Sequence, residues 1–555
     1  MSVLLRPQAR RPALIPPCFL FRSPRHYATV VDGAIVGARR KKGDRVETRA
    51  RRSLVPPLSL GGVAIACTLL VIFSVAAKPV TDPDFWWHLA TGKYMVTHHV
   101  IPHYDVFSLT ARSHRWITHE WLTELLFYGG WLLGGATLLS LLTGAVISLA
   151  FWVTYLAARE RGAPAVVSAP IIVIAAFACA HTWGARPQMI SMLLTALFGL
   201  AISRMLVRRQ LAPPPWLPIV MIFWVNLHGG FIFGIALLGI AVGGYLIQDW
   251  VRMSRRTDEE LPPMMPRINA VRSIVVVVLT ALATLLNPNG LAGALYPLSY
   301  LGNNASTRYI AEWVSPDFHK PQYLFFEALV LILLVGAMAN PRRARLVDVL
   351  ILLPFLYLSF DSVRNINLLS VLAAPIAAEL VTGALPIRRR APRTARTRDN
   401  RRFLINWVCV GIVAAAVVIS AAVAVSGPGQ AKAVKKDFPV GALRYIQLHG
   451  LPARGFDSYN WGGYLIWQWY GQRAVYVDGR PDMYGDAFMN SYVSAYDGNG
   501  SWSRLLDVNR LCYVLVEPSS GIAHALSTDH AWQRRYQDAE AVLYLRAGPA
   551  RGCTR

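Results

Sequence analysis

Thr81-Asp82-Pro83-Asp84-Phe85-Trp86-Trp87-His88 places two carboxylates, a proline and an imidazole within one short stretch. Pro83 pushes Asp82 out of the helical region. It also suits the first position of a helix that Asp82 would cap. Asp84 then lies one turn before His88, so both can face a common site. An Asp and a His at that spacing can hold a divalent ion, or can act as a base and its orienting partner. The plain structural alternative is a capped helix whose tryptophans sit in an interfacial aromatic belt.

Further polar residues interrupt an otherwise apolar sequence. In His119-Glu120-Trp121-Leu122-Thr123-Glu124 the two glutamates fall one helical turn apart. Trp121, Leu125 and Tyr128 mark another face, the pattern of an interfacial helix. Arg186 and Gln188 follow His181. Asn226 and His228 precede a Gly-Gly pair. Glu312 and Asp317 share one turn, and Arg364 and Asn365 share another. Each has an ordinary reading. Asn287-Pro288-Asn289-Gly290 is good turn chemistry. His228 can end a helix, Arg186 can snorkel, and Arg364 can pair with Asp361. Ionisable residues near membrane depth nevertheless call for a reason. Together, these carboxylates and histidines with two arginines suit an anionic lipid phosphate and a proton-transfer step.

The elements that must position them are membrane helices. Of 555 residues, 54% are hydrophobic and 16% charged, with a mean hydropathy of +0.37. Apolar runs occur at 58–77, 132–157, 165–182, 187–206, 216–228, 231–250, 273–288, 322–339, 347–361, 364–384 and 404–425. Those starting at 216, 273 and 347 are short. The first run follows Arg51-Arg52, and each even-numbered run ends in a basic segment. By the positive-inside rule this predicts about eleven spans, a cytosolic N-terminus and an extracytoplasmic C-terminus in the cytoplasmic membrane. The net charge of +25 gathers at Arg39–Arg52, Arg252–Arg256, Arg342–Arg345 and Arg388–Arg402. All these segments flank spans, so inner-leaflet lipid explains them without nucleic acid. Residues 1–52 read as a disordered basic cytosolic tail. Cys67, Cys179 and Cys409 lie in apolar runs, Cys18 in the tail, and a Cys512–Cys553 disulfide stays open.

Residues 53–426 thus form the multi-span part, with a long first outer loop at 78–118. Residues 427–555 contain no further apolar run and predict an extracytoplasmic α/β domain. Strands are expected at Tyr464–Trp469, Ala474–Val477, Cys512–Val516 and Ala541–Leu545, and helices at Gly441–His449 and Ser520–Ser527. Asn460, Trp461, Asp478, Arg480 and Asp482 combine aromatic, amide and charged groups in a way that suits sugar recognition. The alternative is a core turn held by an Asp–Arg pair. Neither a Walker-type nucleotide motif nor Gly-x-Ser-x-Gly is present.

The acidic motif after the first span, the long loop, the many spans and the outer C-terminal domain resemble the GT-C class of polytopic glycosyltransferases. Asp82–His88, Trp116–Trp121, Arg186-Pro187-Gln188, Trp224–Gly230, Glu312–Phe318 and Asp457–Asp482 resemble a bacterial family of GT-C-like membrane proteins over roughly 78–545. The resemblance implies a hexosyl- or pentosyltransferase that uses a polyprenyl-phosphate-linked sugar donor and a glycan, lipid or protein acceptor. It matches Asp82 and Asp84 to the first-loop acid that serves as base or helps place a metal; with His88, brought in by its spacing to Asp84, these are the expected catalytic residues, and Asp84 and His88 could hold a divalent cation. Substrate would be bound by His119, Glu120, Glu124, Arg186, Gln188, Asn226, His228, Glu312, Asp317, Arg364 and Asn365. Two rival readings are a flippase of lipid-linked saccharide and a non-catalytic scaffold that binds envelope polymer. A flippase should carry polar residues along both sides of the path and internal repeats; neither is seen.

Overall fold

The computed structural model describes residues 58–112, 114–208, 212–255, 266–300, 308–310, 312–341, 343–385 and 400–547. The expected tail at 1–52, Cys18 and Cys553 lie outside the described residues. Cys512 is disulfide-bonded.

Every apolar run becomes a helix. They include α1 (Leu60–Ala76), α3 (Trp121–Glu160), α4 (Ala165–Cys179), α5 (Gln188–Arg208), α6 (Leu217–Leu227) and α7 (Phe231–Arg255). The others are Arg267–Ala283, Leu324–Ala339, Leu346–Asp361, Ile366–Ala384 and Asn400–Val425. A further helix, α2 (Pro83–His98), lies between α1 and α3. Among the described residues seven helices are long and apolar enough to cross a membrane. The fold is therefore a polytopic helical membrane protein with a C-terminal α/β part. The remaining runs make shorter helices. The 11 residues of α6 rise only about 16 Å, against a hydrocarbon core of about 30 Å. Such a short element is tolerated where protein covers its ends, and here Leu217, Met221, Trp224 and Val225 are buried. The α3 helix starts earlier than its apolar run and is broken at Gly134 and Gly135, whose backbone angles are non-helical.

The basic helix ends gather on one side. Arg161, after α3, donates to both oxygens of Asp348 at 3.0 and 2.7 Å and to Glu379 at 3.0 Å. Arg345 pairs with the same two carboxylates, and Arg204 and Arg208 pair with Glu160. The acidic and histidine-bearing turns lie at the other ends of these helices. Buried pairs of this kind fix register rather than add much net stability.

The C-terminal part holds a four-stranded sheet in the order β1-β2-β4-β3, formed by β1 (Gly455–Asp457), β2 (Tyr513–Val516), β3 (Trp532–Gln537) and β4 (Val542–Arg546). Only the β1–β2 pair is parallel. Two expected strands, β2 and β4, and both expected helices are present. Tyr464–Trp469 is not a strand: Tyr459–Gln468 is a helix. Every residue from Trp461 to Ile466 is buried along it, and a continuous buried run carries no period that tells a helix from a strand. Ala474–Val477 makes only a single parallel bridge, from Val475 to Ser108. The unforeseen β3 is an edge strand whose polar Gln533, Arg534 and Arg535 are exposed.

One apolar core joins α2, the first loop and this C-terminal part. Phe85, Trp86, Trp87 and Leu89 share it with Trp461, Tyr464, Val475 and Tyr476. Trp86 meets Tyr464 edge-on at 5.0 Å. The Val475 N–H donates to the Phe107 carbonyl at 3.2 Å, and its carbonyl accepts from Leu109 N–H at 2.8 Å. Arg480 is the anchor. It donates to Asp478 and reaches Asp105 at 2.9 Å, and its guanidinium lies 4.6 Å from the Trp116 ring.

Backbone approaches are equally tight. A Cβ at Gly92 would run into the Glu124 carbonyl, and one at Gly463 into the Pro83 carbonyl, whereas Gly129 has open space. Gly92→Ala and Gly463→Ala are each expected to cost about 1–3 kcal/mol and to lower the thermal midpoint in a detergent melt. Gly129→Ala should leave it unchanged or slightly raised.

Candidate active site

Asp82 is the N-cap of α2: one carboxylate oxygen accepts the Asp84 N–H at 2.9 Å. The other pairs with Arg186. Arg186 also pairs with Glu312 and, at 3.5 Å, with Asp84. Three carboxylates thus surround one guanidinium. The Arg186 segment can come this close because Gly184 presents no side chain to Asp82. Asp84 accepts from Trp87 Nε1 at 3.2 Å and is covered by Gly479, where any Cβ would collide with the carboxylate. Burial pushes Asp84 up to about 7; Arg186 opposes this, and Asp82 and Glu312 add to it. Burial likewise raises Asp82 against the pull of Arg186. Burial works against the charge on Arg186, but its carboxylate partners more than restore it.

A second cluster adjoins the first. His88 is buried with Nε2 3.6 Å from Glu120 and Nδ1 3.3 Å from Glu124. Glu120 also meets His119 at 3.5 Å and His228 at 3.4 Å. The Gly230 N–H donates to His228 Nδ1 at 2.9 Å, which turns the Nε2–H toward Glu120. Burial pushes His88 down to about 3 and His228 down to about 4, so both rings are neutral near pH 7. Burial would raise Glu120, but His119 holds it well below the usual carboxylate range. Burial would lower His119, but Glu120 raises it. The result is one ion pair flanked by two neutral imidazoles.

Asp84 and His88 are therefore taken up by different partners, despite their helical spacing. Among the described residues no group of three or more His, Cys, Asp or Glu side chains is placed to hold a metal ion.

The remaining candidates divide. Arg364 does not pair with Asp361; its guanidinium lies over the Trp313 ring at 4.3 Å, and its N–H donates to the Glu312 carbonyl at 3.1 Å. Among the described residues no carboxylate pairs with Arg364. Gln188 is half-buried, with Nε2 lacking a partner among the described residues. Asn226 is a fastener: it accepts from Trp121 Nε1 at 2.7 Å and donates to the Ile222 and Leu286 carbonyls. Asn365 donates to the Leu358 carbonyl. Asp317 makes only local contacts, with His319 N–H and Lys320.

Farther along, Asp478 and Arg480 form the buried pair of the plain structural reading, and buried Trp461 donates to the Asp437 carbonyl. Asp482 accepts from Tyr296 at 2.8 Å, and the Tyr296 ring packs on His119. Asn460 is exposed. Gly479, Trp313, Tyr296 and Ser191, whose hydroxyl accepts from Trp224 Nε1 and meets His228 Nδ1, each at 2.7 Å, are not among the expected site residues. Gly479 was visible only as the middle of Asp478-Gly479-Arg480.

No family model matches the sequence, and no curated protein matches it. Solved structures that it resembles include the oligosaccharyltransferase AglB from Archaeoglobus fulgidus, at 13% identity and a TM-score of 0.48, over 81% of this chain and 69% of that one. ArnT from Cupriavidus metallidurans matches at 14% identity and 0.47, over 88% and 99%. The mycobacterial arabinofuranosyltransferase AftD matches at 16% identity and 0.44, over 89% and 40%. These neighbours are GT-C glycosyltransferases, the class that the sequence resembles. Similarity of this degree assigns no role to any residue here.

Asp84 is expected to take up a proton as pH falls through about 7. In Glu312→Gln a negative neighbour that raises Asp84 is gone, so the midpoint should fall. A carboxyl band in pH-difference infrared spectra, identified by its loss in Asp84→Asn, measures both.

Proposed function

We propose that the protein is an inverting glycosyltransferase of the GT-C type. It moves a sugar from a polyprenyl-phosphate-linked donor to an acceptor hydroxyl at the outer face of the cytoplasmic membrane. The observation that carries this reading is Asp84, a largely enclosed carboxylate whose pKa burial raises to about 7 at a helix start, with Arg364 in the neighbouring turn paired with no carboxylate among the described residues. A base is most effective when its pKa lies near the working pH.

In this reading Asp84 accepts the acceptor hydroxyl proton while that oxygen bonds to the anomeric carbon. The carbon–oxygen bond to phosphate breaks, and its electron pair leaves with the lipid phosphate. Arg364 neutralises the departing charge. Arg186, already taken up by three carboxylates, positions Asp82 and Asp84 instead of meeting phosphate. Asp82 sets the start of α2. The Glu120–His119 pair, with neutral His88 and His228, forms the floor against which the sugar or acceptor rests. The outward orientation follows from the basic helix ends at Arg161, Arg204, Arg208 and Arg345, which belong in the cytosol. A lipid-linked donor follows in turn, because the outer face has no ready supply of nucleotide sugars.

Purified protein supplied with radiolabelled polyprenyl-phosphate sugars tests this. Asp84→Asn should lower transfer about 10²–10⁴-fold, and Asp82→Asn less, since Asn remains a good cap. Because the base must be ionised, the wild-type rate should rise with pH through about 7. Full activity in Asp84→Asn, or a flat profile across that range, would remove Asp84 from the chemistry.

Orientation is tested separately: a reporter fused after Arg345 should read cytosolic, and one fused after Gly500 external. The reverse would put the site on the wrong face for this donor.

A further inference from the structure

A cavity of about 160 Å³ lies between the C-terminal part and residues 309–310, and none of the carboxylates around Arg186 lines it. It is lined by Tyr459 and Asn460 at the start of one helix, and by Met489, Tyr492 and Tyr496 on helix Asp486–Tyr496. Tyr309 closes its third side.

Its walls are held rigid. Tyr496 donates to one oxygen of Glu517 at 2.6 Å, and Ser458 donates to the other at 2.7 Å. The Tyr492 hydroxyl donates to the Asp457 carbonyl at 3.1 Å and accepts from Tyr459 N–H at 2.7 Å. Rings fixed in this way have little rotamer freedom left to lose on binding. Asn460 stands exposed at the rim, and among the described residues its side chain has no hydrogen-bond partner. A carboxamide offers two N–H donors and a carbonyl acceptor.

The chemistry selects the occupant. Aromatic faces match the C–H face of a sugar ring, and a free amide matches its hydroxyls. Among the described residues no lysine or arginine lines the cavity, and Glu517 stands behind its wall, so an anion is disfavoured. The volume is below the roughly 300–1,000 Å³ of drug-sized sites, which fits one ring of a longer chain. The closing side also has a link to the candidate active site. Tyr309 donates to Asn490 at 2.8 Å, and three residues later Glu312 pairs with Arg186.

We propose that this cavity binds one neutral carbohydrate ring, and that the ring belongs to the acceptor glycan. Only the word acceptor rests on the transferase reading; the binding stands without it.

Full-length protein in nanodiscs, free of sugar detergents, is titrated with mannotriose, maltotriose, cellotriose and chitotriose. Saturation-transfer NMR and calorimetry report binding, and glucose 6-phosphate serves as the charged comparison. At least one trisaccharide is expected to bind. Asn460→Ala should weaken it about three- to tenfold, the loss of a hydrogen bond. Asn460→Trp, which plugs the rim, should abolish binding with an unchanged thermal midpoint; if that variant fails to fold, Asn460→Ala carries the test. The proposal is overturned if none of the trisaccharides binds at millimolar concentration, if glucose 6-phosphate binds in their place, or if a folded Asn460 variant binds like wild type. Transfer is scored separately. A wild-type protein that transfers sugar from none of the polyprenyl-phosphate donors sinks the transferase reading alone, and a folded Asn460→Trp protein that still binds sinks this one alone.

Discussion

A guanidinium buried at Arg480 constrains much of what surrounds the candidate site. Left unpaired at that depth it would cost several kcal/mol, and the fold answers with two carboxylates and three aromatic rings. Asp478 and Arg480 come from the C-terminal part; Asp105, Phe107 and Trp116 come from the first loop; Trp87 comes from α2. No one segment can satisfy the charge alone, so the three are held together. Gly479, between the two members of the pair, is thereby pressed onto Asp84. The burial that raises Asp84 is a downstream result of where Arg480 finds its partners.

The site then divides its charge unevenly. Around Arg186 burial, with two further carboxylates beside it, raises Asp84 toward neutral pH. Around Glu120 the imidazoles outnumber the carboxylates they touch, and burial keeps two of them neutral. The first cluster is suited to exchanging a proton and the second to holding its state while that happens. Arg364, resting on Trp313, is set apart from both sets of carboxylates.

Local chemistry was legible in the sequence. Asp82 before Pro83 read as a cap and is one, and two of the basic helix ends expected on a common side, at Arg161 and Arg345, share Asp348 and Glu379. The apolar runs all became helices because their composition leaves few alternatives. What stayed hidden were partnerships across long stretches of chain. The offset from Asp84 to His88 is real, yet Glu124 claims the histidine and Arg186 claims the aspartate. Arg186 itself read as a group free to meet phosphate, because nothing near it in sequence announces Glu312. Tyr464 read as part of a strand because a continuous buried run carries no period that tells a helix from a strand. Asp478 and Arg480 were visible as a pair, but their third member, Asp105, was not.

The distance along the chain between Asp84 and Gly479 also bears on how the protein is made. At about 5–20 residues per second, the segment that covers Asp84 leaves the ribosome on the order of tens of seconds after α2 has entered the membrane. Until then the first loop has neither its core partners nor the mate for Asp105, and Asp84 lacks the cover that Gly479 supplies. A product that ends before Gly479 would keep its apolar helices but would leave Asp84 without the segment that covers it.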